Sequence, residues 1–427
     1  MKRNTAWAFA GNTTYAACQW VVFVLLVKAL GAPEAGAFAY ATAVTGPIFV
    51  LTNVRLRNLL ATGVETAGGF ADYLTARLLT TILAVLISLG AGGLMPLGPG
   101  SFAIMALMAF GRACDAFSDI CHGLFQRDLD MRSAAIGLSV NGLASVAFVS
   151  SVLVVSRSLA AATAAYAGGS LVALAAWDLP RTLRRRRTDV SSSRGNGLLS
   201  RSIGPAVRLV ITALPLGVSS AVGSVQANIP RYAIRFYLGA ASLAQFAAIS
   251  YIPMVGHLLV NATSQAALPI LARDVRTSDR QYRNRLIALV CGTVTAGAAA
   301  LFAAFQYGGV ALSLIYGSEY AAYSSALFWL SAATIVTFAS VFLGTGTTAR
   351  KRFKSQLAIS VVSLAVVGAC ATPFVREFGL IGAAWALFAG ATVEFAAYAC
   401  LTVRDLKTPA IVIPAVAPNP VAGGLVP

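Results

Sequence analysis

Apolar residues run along this chain in long unbroken stretches, and polar residues collect in the short gaps between them. About twelve stretches reach bilayer-spanning length, near 8–29, 35–53, 74–95, 102–125, 134–155, 159–177, 207–229, 242–268, 286–307, 322–344, 357–374 and 380–402. A bilayer core takes roughly 20 apolar residues per helix. Lipid offers no partner to an open backbone group, so each stretch reads as a membrane-spanning α-helix. The expected fold is an all-α polytopic membrane protein, and its spans use almost all of the 427 residues. No large soluble domain fits in what remains.

The segment 178–206 is rich in Arg, Ser and Gly and splits the spans six and six. It reads as a flexible basic linker between an N-terminal six-helix bundle (1–177) and a C-terminal one (207–404). The tail 405–427 is Pro-, Ala- and Val-rich and reads as disordered. The halves echo each other. Leu30-Gly31-Ala32 with Phe38-Ala39 returns as Leu238-Gly239-Ala240 with Phe246-Ala247, at a constant offset of 208. Ala164-Ala165-Tyr166-Ala167 is matched by Ala383-Ala384-Trp385-Ala386. Repeats of six spans insert the same way up, which implies a pseudo-two-fold axis along the membrane normal and a central cleft.

Charge fixes the orientation. With the N-terminus inside, the even-numbered connections and both termini hold 26 of the 32 Lys and Arg. Lys28, Arg157, Arg231, Arg235 and Arg376 fall outside, and Arg112 lies within a span. This is the positive-inside signature of a polytopic inner-membrane protein with both ends cytoplasmic. The first stretch carries Asn12, Thr13, Thr14 and Gln19 and reads as a retained span, not a cleaved leader. At 58% hydrophobic and 11% charged, the composition excludes an ordinary soluble domain. The net charge of +17 is dispersed over short loops. It points to anionic lipid headgroups and not to nucleic acid. The six Cys sit in apolar spans, so neither disulfides nor a zinc site is expected.

The fourth span places Arg112, Asp115, Asp119 and His122 on one helical face. Two readings stand: Arg112 and Asp115 neutralise each other, or the stripe lines a polar cavity that meets an ionic substrate. Asp119 is a candidate proton carrier, and Glu394 in the last span is either a helix–helix partner or a second ion-coupling acid. Asn12 with Gln19, and Asn261 with Gln265, each share a helix face. They serve as interhelical glue or as cavity lining. His122 and His257 lie in different halves, and no phosphate-binding glycine loop, cofactor site or metal site is read. That leaves a carrier driven by an ion gradient or by its substrate.

The run Asn228-Ile229-Pro230-Arg231-Tyr232, then Leu238-Gly239, Phe246-Ala247 and Tyr251, closely resembles a motif of the Wzx-type polysaccharide flippases. These belong to the multidrug/oligosaccharidyl-lipid/polysaccharide exporter superfamily. Asn12, Gln19-Trp20, Leu30-Gly31, Tyr40-Ala41, Pro47 and Arg57-Asn58 are similar too. The resemblance implies two bundles forming a V around a central cavity. It implies translocation of undecaprenyl-diphosphate-linked oligosaccharide units for O-antigen, capsule or exopolysaccharide assembly. It also implies work alongside a polysaccharide polymerase and a chain-length regulator. On that reading Arg112, Arg231, Arg235, Arg55 and Arg57 are headgroup contacts, with Asn228 beside them. Two alternatives stay open, a cation-coupled multidrug antiporter of the same superfamily and a membrane polymerase or acyltransferase.

Overall fold

In a computed structural model of the protein, residues 2–61, 69–94, 101–188, 199–200 and 202–407 are described. Part of the basic linker and the tail beyond 407 fall outside them. Among the described residues the chain is helical throughout. The first half comprises α1 (Lys2–Leu30), α2 (Ala32–Thr52), the short α3 (Leu56–Ala61), α4 (Phe70–Leu94), α5 (Ser101–Arg127) and α6 (Met131–Val155). It ends in α7 (Leu159–Val172), which runs through a π-helical turn, Ala173–Asp178, into α8 (Leu179–Thr188). The second half comprises α9 (Ile203–Tyr237), α10 (Gly239–Thr277), α11 (Asp279–Tyr316), α12 (Ser324–Ala349) and α13 (Phe353–Lys407).

α13 is two spans. Gly379 takes φ 60°, which breaks the helix, and the arms return antiparallel. Ser363 Oγ donates to the Gly390 carbonyl at 2.8 Å, and Arg352 reaches Asp405 at 2.8 Å. With α7 and α8 as one span, the described helices make twelve crossings, as the apolar pattern predicts. Outward faces carry the large apolar side chains that lipid accepts, such as Phe305 and Leu314, 69% and 81% exposed.

The internal repeat is visible in the backbone. Gly31 and Gly239 both take φ 90°, a conformation open to glycine, and each reverses the chain between the first two spans of its half. The two reversals meet. A side chain at Gly36, early in α2, would collide with the backbone of Ala240, at the start of α10.

Contacts between the halves concentrate on this side of the membrane, opposite the basic loops. Trp20 Nε1 donates to Tyr316 Oη at 2.9 Å, Phe23 lies 5.3 Å from Tyr251 between ring centroids, and Tyr232 Oη donates to the Ala43 carbonyl at 2.7 Å. One apolar core joins both halves there, with Phe23, Leu26, Phe38, Phe246 and Ile249 buried. Nearer the basic side, Phe9 and Asn12 of α1 and Asn261 and Gln265 of α10 are exposed. Asn12 and Gln19 share the α1 face that carries Phe23 to the second bundle. The bundles are therefore sealed away from the basic loops and part toward them along α1 and α10.

α9 departs from the six-and-six division. Its first half packs on the N-terminal bundle, where Ala206, Leu209 and Ala213 join a core with Leu56, Leu74, Ile120 and Leu124. A side chain at Gly217 would meet Val54 at 2.8 Å. Its second half faces the C-terminal bundle, where Gln226 Nε2 donates to Ser363 Oγ at 3.0 Å.

Candidate functional site

α5 carries Arg112 and Asp115 one turn apart, so both project toward α1, α6 and α7. Asn141 of α6 donates to Asp115 Oδ1 at 2.8 Å. Tyr166 of α7 donates to Gln19 of α1 at 2.9 Å and also bonds Tyr15. Arg112 sits among Asp115, Tyr15, Tyr166 and, across the seam, Tyr251 of α10.

The second bundle supplies a matching cation. Arg231 of α9 bonds Asn228 Oδ1 at 3.2 Å, and Tyr251 lies within electrostatic reach of both Arg231 and Arg112. Arg235, one turn on, stands 5.7 Å over the Tyr40 ring. The Nε atoms of Arg112, Arg231 and Arg235 are buried with no partner, as are Asp115 Oδ2 and Gln19 Nε2. Buried donors nearly always find partners. Guanidinium groups with spare N–H bonds on the two sides of the seam can together accommodate an anion. Arginine suits phosphate because its planar fork donates paired, charge-assisted bonds.

The other residues of the α5 stripe belong to different neighbourhoods. Asp119 pairs with Arg77 at 2.9 Å and Arg57 at 3.5 Å. Arg57 also donates to Gln126 at 3.2 Å. His122 lies 3.0 Å from Asp178 of the π-helical turn, both nearly inaccessible. α6 packs over that pair through Gly137, where a Cβ would sit 2.8 Å from the His122 ring. The Arg112–His122 face is thus open chemistry at one end and a filled seam at the other.

Arg55 reaches across to α9, donating to Ser220 at 2.6 Å. Asn12 donates to its own helix, at the Ala8 carbonyl, 2.7 Å. Asn228 is also tied to its own helix, at the Ser224 carbonyl, 2.8 Å. Asn261 and Gln265 are exposed on α10. Glu394 of α13 is hydrogen-bonded to Gln226, within the second bundle. So Arg112, Asp115, Gln19, Arg231, Asn228 and Arg235 gather around the seam, and the rest do not join them.

Several participants escape a reading of the sequence. Arg77 has no exposure at all, yet its place near a span end makes it look like one more loop charge. Its only signal is that it stands after the first turn of an apolar run. Asp178 reads as the start of the linker because the π-helical turn that buries it leaves no mark in composition. Tyr15 reads as an ordinary aromatic residue in a span, and Tyr166 and Tyr251 stand out only through the repeat and the family resemblance and not as partners of Arg112.

A family model described as polysaccharide biosynthesis protein matches residues 1–275. The capsular polysaccharide biosynthesis protein CapF of Staphylococcus aureus is 23% identical over 386 residues, which is 90% of this chain and 94% of that one. Among solved structures, the lipid II flippase MurJ in an inward closed conformation superposes with a TM-score of 0.71 at 13% identity, covering 93% of this chain and 87% of MurJ. A multidrug resistance MATE transporter in its inward-facing conformation gives 0.67 at 12% identity, covering 95% of each chain. A MOP-superfamily transporter from Pyrococcus furiosus gives 0.64 at 13% identity, again over 95% of each. At these identities the structural likeness is one of fold.

Proposed function

The chain belongs to the polysaccharide biosynthesis protein family, and from that premise we propose that it is a flippase for polyprenyl-diphosphate-linked oligosaccharides. It works by alternating access in the bacterial inner membrane, with the basic loops and both termini in the cytoplasm. One observation carries the reading: Arg112 and Arg231, from opposite bundles, converge on Tyr251 with donors unspent. A diphosphate is the part of such a cargo least able to enter hydrocarbon, and these two side chains offer it charge and directed bonds. Glycan hydroxyls would meet Gln19 near the seam and Asn12, Asn261 and Gln265 along the exposed faces that open toward the cytoplasm.

The sealed side and the parted side correspond to an inward-open state. Closing the bundles around the diphosphate would draw the two arginines onto one ligand and loosen the Trp20–Tyr316 and Phe23–Tyr251 contacts. Glu394 stands as the acid for ion coupling, whereas Asp119, already shared between two arginines, serves to hold α3, α4 and α5 together. A cationic drug would face guanidinium repulsion at the same place, which weighs against the antiporter.

The test is reconstitution of the purified protein in vesicles with a fluorescent polyprenyl-diphosphate-linked glycan. Arg112→Ala and Arg231→Ala are each expected to weaken binding by about tenfold or more, as truncation of a buried charged contact does. Both should also stop appearance of the glycan on the far leaflet. Wild-type rates in both variants, at normal abundance, would overturn the proposal.

A further inference from the structure

An apolar cavity of about 790 Å3 lies in the second bundle, between α10 and α11, with α12 as its floor. α11 lines it with Gly292, Ala296, Ala300 and Ala304, one small residue per turn. Short side chains there leave the space between the helices unfilled. α12 rises between them: a Cβ at Gly256 of α10 would meet Phe338 at 2.6 Å, and one at Gly297 of α11 would meet Ile335 at 2.7 Å. Thr263, Thr293 and Thr334 also line the space. Each of their hydroxyls donates to a carbonyl one turn back, at 2.8 Å. These threonines therefore present methyl groups and no spare donor.

α10 is the common wall between this cavity and the seam. Tyr251 faces Arg112 and Arg231, while the next residue, Ile252, and then Gly256 and Thr263 line the cavity. The helix bends by 41° between its arms Gly239–Met254 and Gly256–Thr277, just after Pro253, which cannot donate the helical hydrogen bond. A helix with its side chains is about 10 Å across, which sets the distance a ligand must cover to occupy both.

We propose that this cavity holds the polyprenyl chain of the cargo while its diphosphate rests at Arg112 and Arg231. The proposal depends on the flippase reading above and adds to it a seat for the lipid. A protein helix about 10 Å across would fill 790 Å3 in under two turns, so the space suits a slim flexible chain and not a partner's span. The volume falls within the roughly 300–1,000 Å3 of small-molecule sites. Its walls belong to spans, so the occupant reaches it from the hydrocarbon and never crosses water. The cargo would then be gripped at two places on opposite sides of α10.

The experiment uses the full chain in lipid nanodiscs and two ligands with one diphosphate-disaccharide head, on a full-length polyprenyl chain or on a two-isoprene chain. In the nanodisc the chain passes from lipid into the cavity without meeting water, so what it gains is packing contact along its length, and the long chain, which alone reaches past α10, is expected to bind about tenfold tighter or more. Ala296→Leu and Ala300→Leu, which fill the cavity, should cut that preference below about threefold and leave the short ligand unaffected. Arg112→Ala should weaken both ligands alike. Equal binding of long and short ligands by the wild type overturns the chain site alone, and that comparison stands even if a filled variant fails to fold. A preference that survives in filled, folded variants also overturns it, as does extraction of phospholipid only from protein loaded with the long ligand. Failure of the wild type to bind either ligand removes the flippase reading, and the chain site with it.

Discussion

Arg77 has no exposed surface and its terminal nitrogens are held by Asp119 and by Asn53, whereas Arg112 stands at the seam within electrostatic reach of Tyr251 of the other bundle. The two arginines should respond differently to mutation. Asp119→Ala strands the Arg77 guanidinium in a dry site, at a cost of about 3 kcal/mol. A lower unfolding temperature in detergent and reduced abundance are expected. Replacing the pair together, with Arg77→Met and Asp119→Leu, should restore most of that loss. Arg112→Lys should leave abundance unchanged and lower glycan transport, because it keeps the charge and loses the fork. The sequence shows that charges in a span require compensation, and helical periodicity shows which of them share a face. It does not show what stands opposite that face. The α5 stripe therefore reads as one surface and proves to serve three neighbourhoods.

Among elements, the spans are legible because bilayer thickness sets their length, and the first hairpin of each half because Leu-Gly-Ala recurs there with its glycine at positive φ. The π-helical turn and the division of α9 are illegible, since both arise from contacts with distant segments. Gly36 offers a test of the seam. Gly36→Val would drive a side chain into the Ala240 backbone and pry the reversals apart. Faster labelling, from the side opposite the basic loops, of a cysteine placed at buried Tyr40 is expected. At the other end, Asp130 caps α6, accepting the Ser133 N–H at 3.1 Å. Partial burial pushes its carboxyl up, but Ser133 and Arg185 outweigh that and hold it below the usual range. Its contribution to stability is complete above the unfolded value near 3.9 and is lost as pH falls through the lower folded value. Asp130→Ala should cost about 1 kcal/mol and flatten the acid limb of the unfolding curve.

At the scale of the whole molecule, two bundles are clamped at one membrane face and parted at the other, and the basic loops mark the parted face. α9 is fixed to the first bundle over Ala206–Gly217 and bonded to the second at Gln226. On the flippase reading, relative motion of the bundles would be absorbed inside this one helix, near Pro215 and Gly223, and not by the polypeptide that precedes it. The covalent tether between the halves is then dispensable for the stroke. A chain cut within 189–198 and co-expressed as two fragments should still assemble and export glycan, whereas stiffening α9 by Pro215→Ala and Gly223→Ala should slow turnover with binding intact.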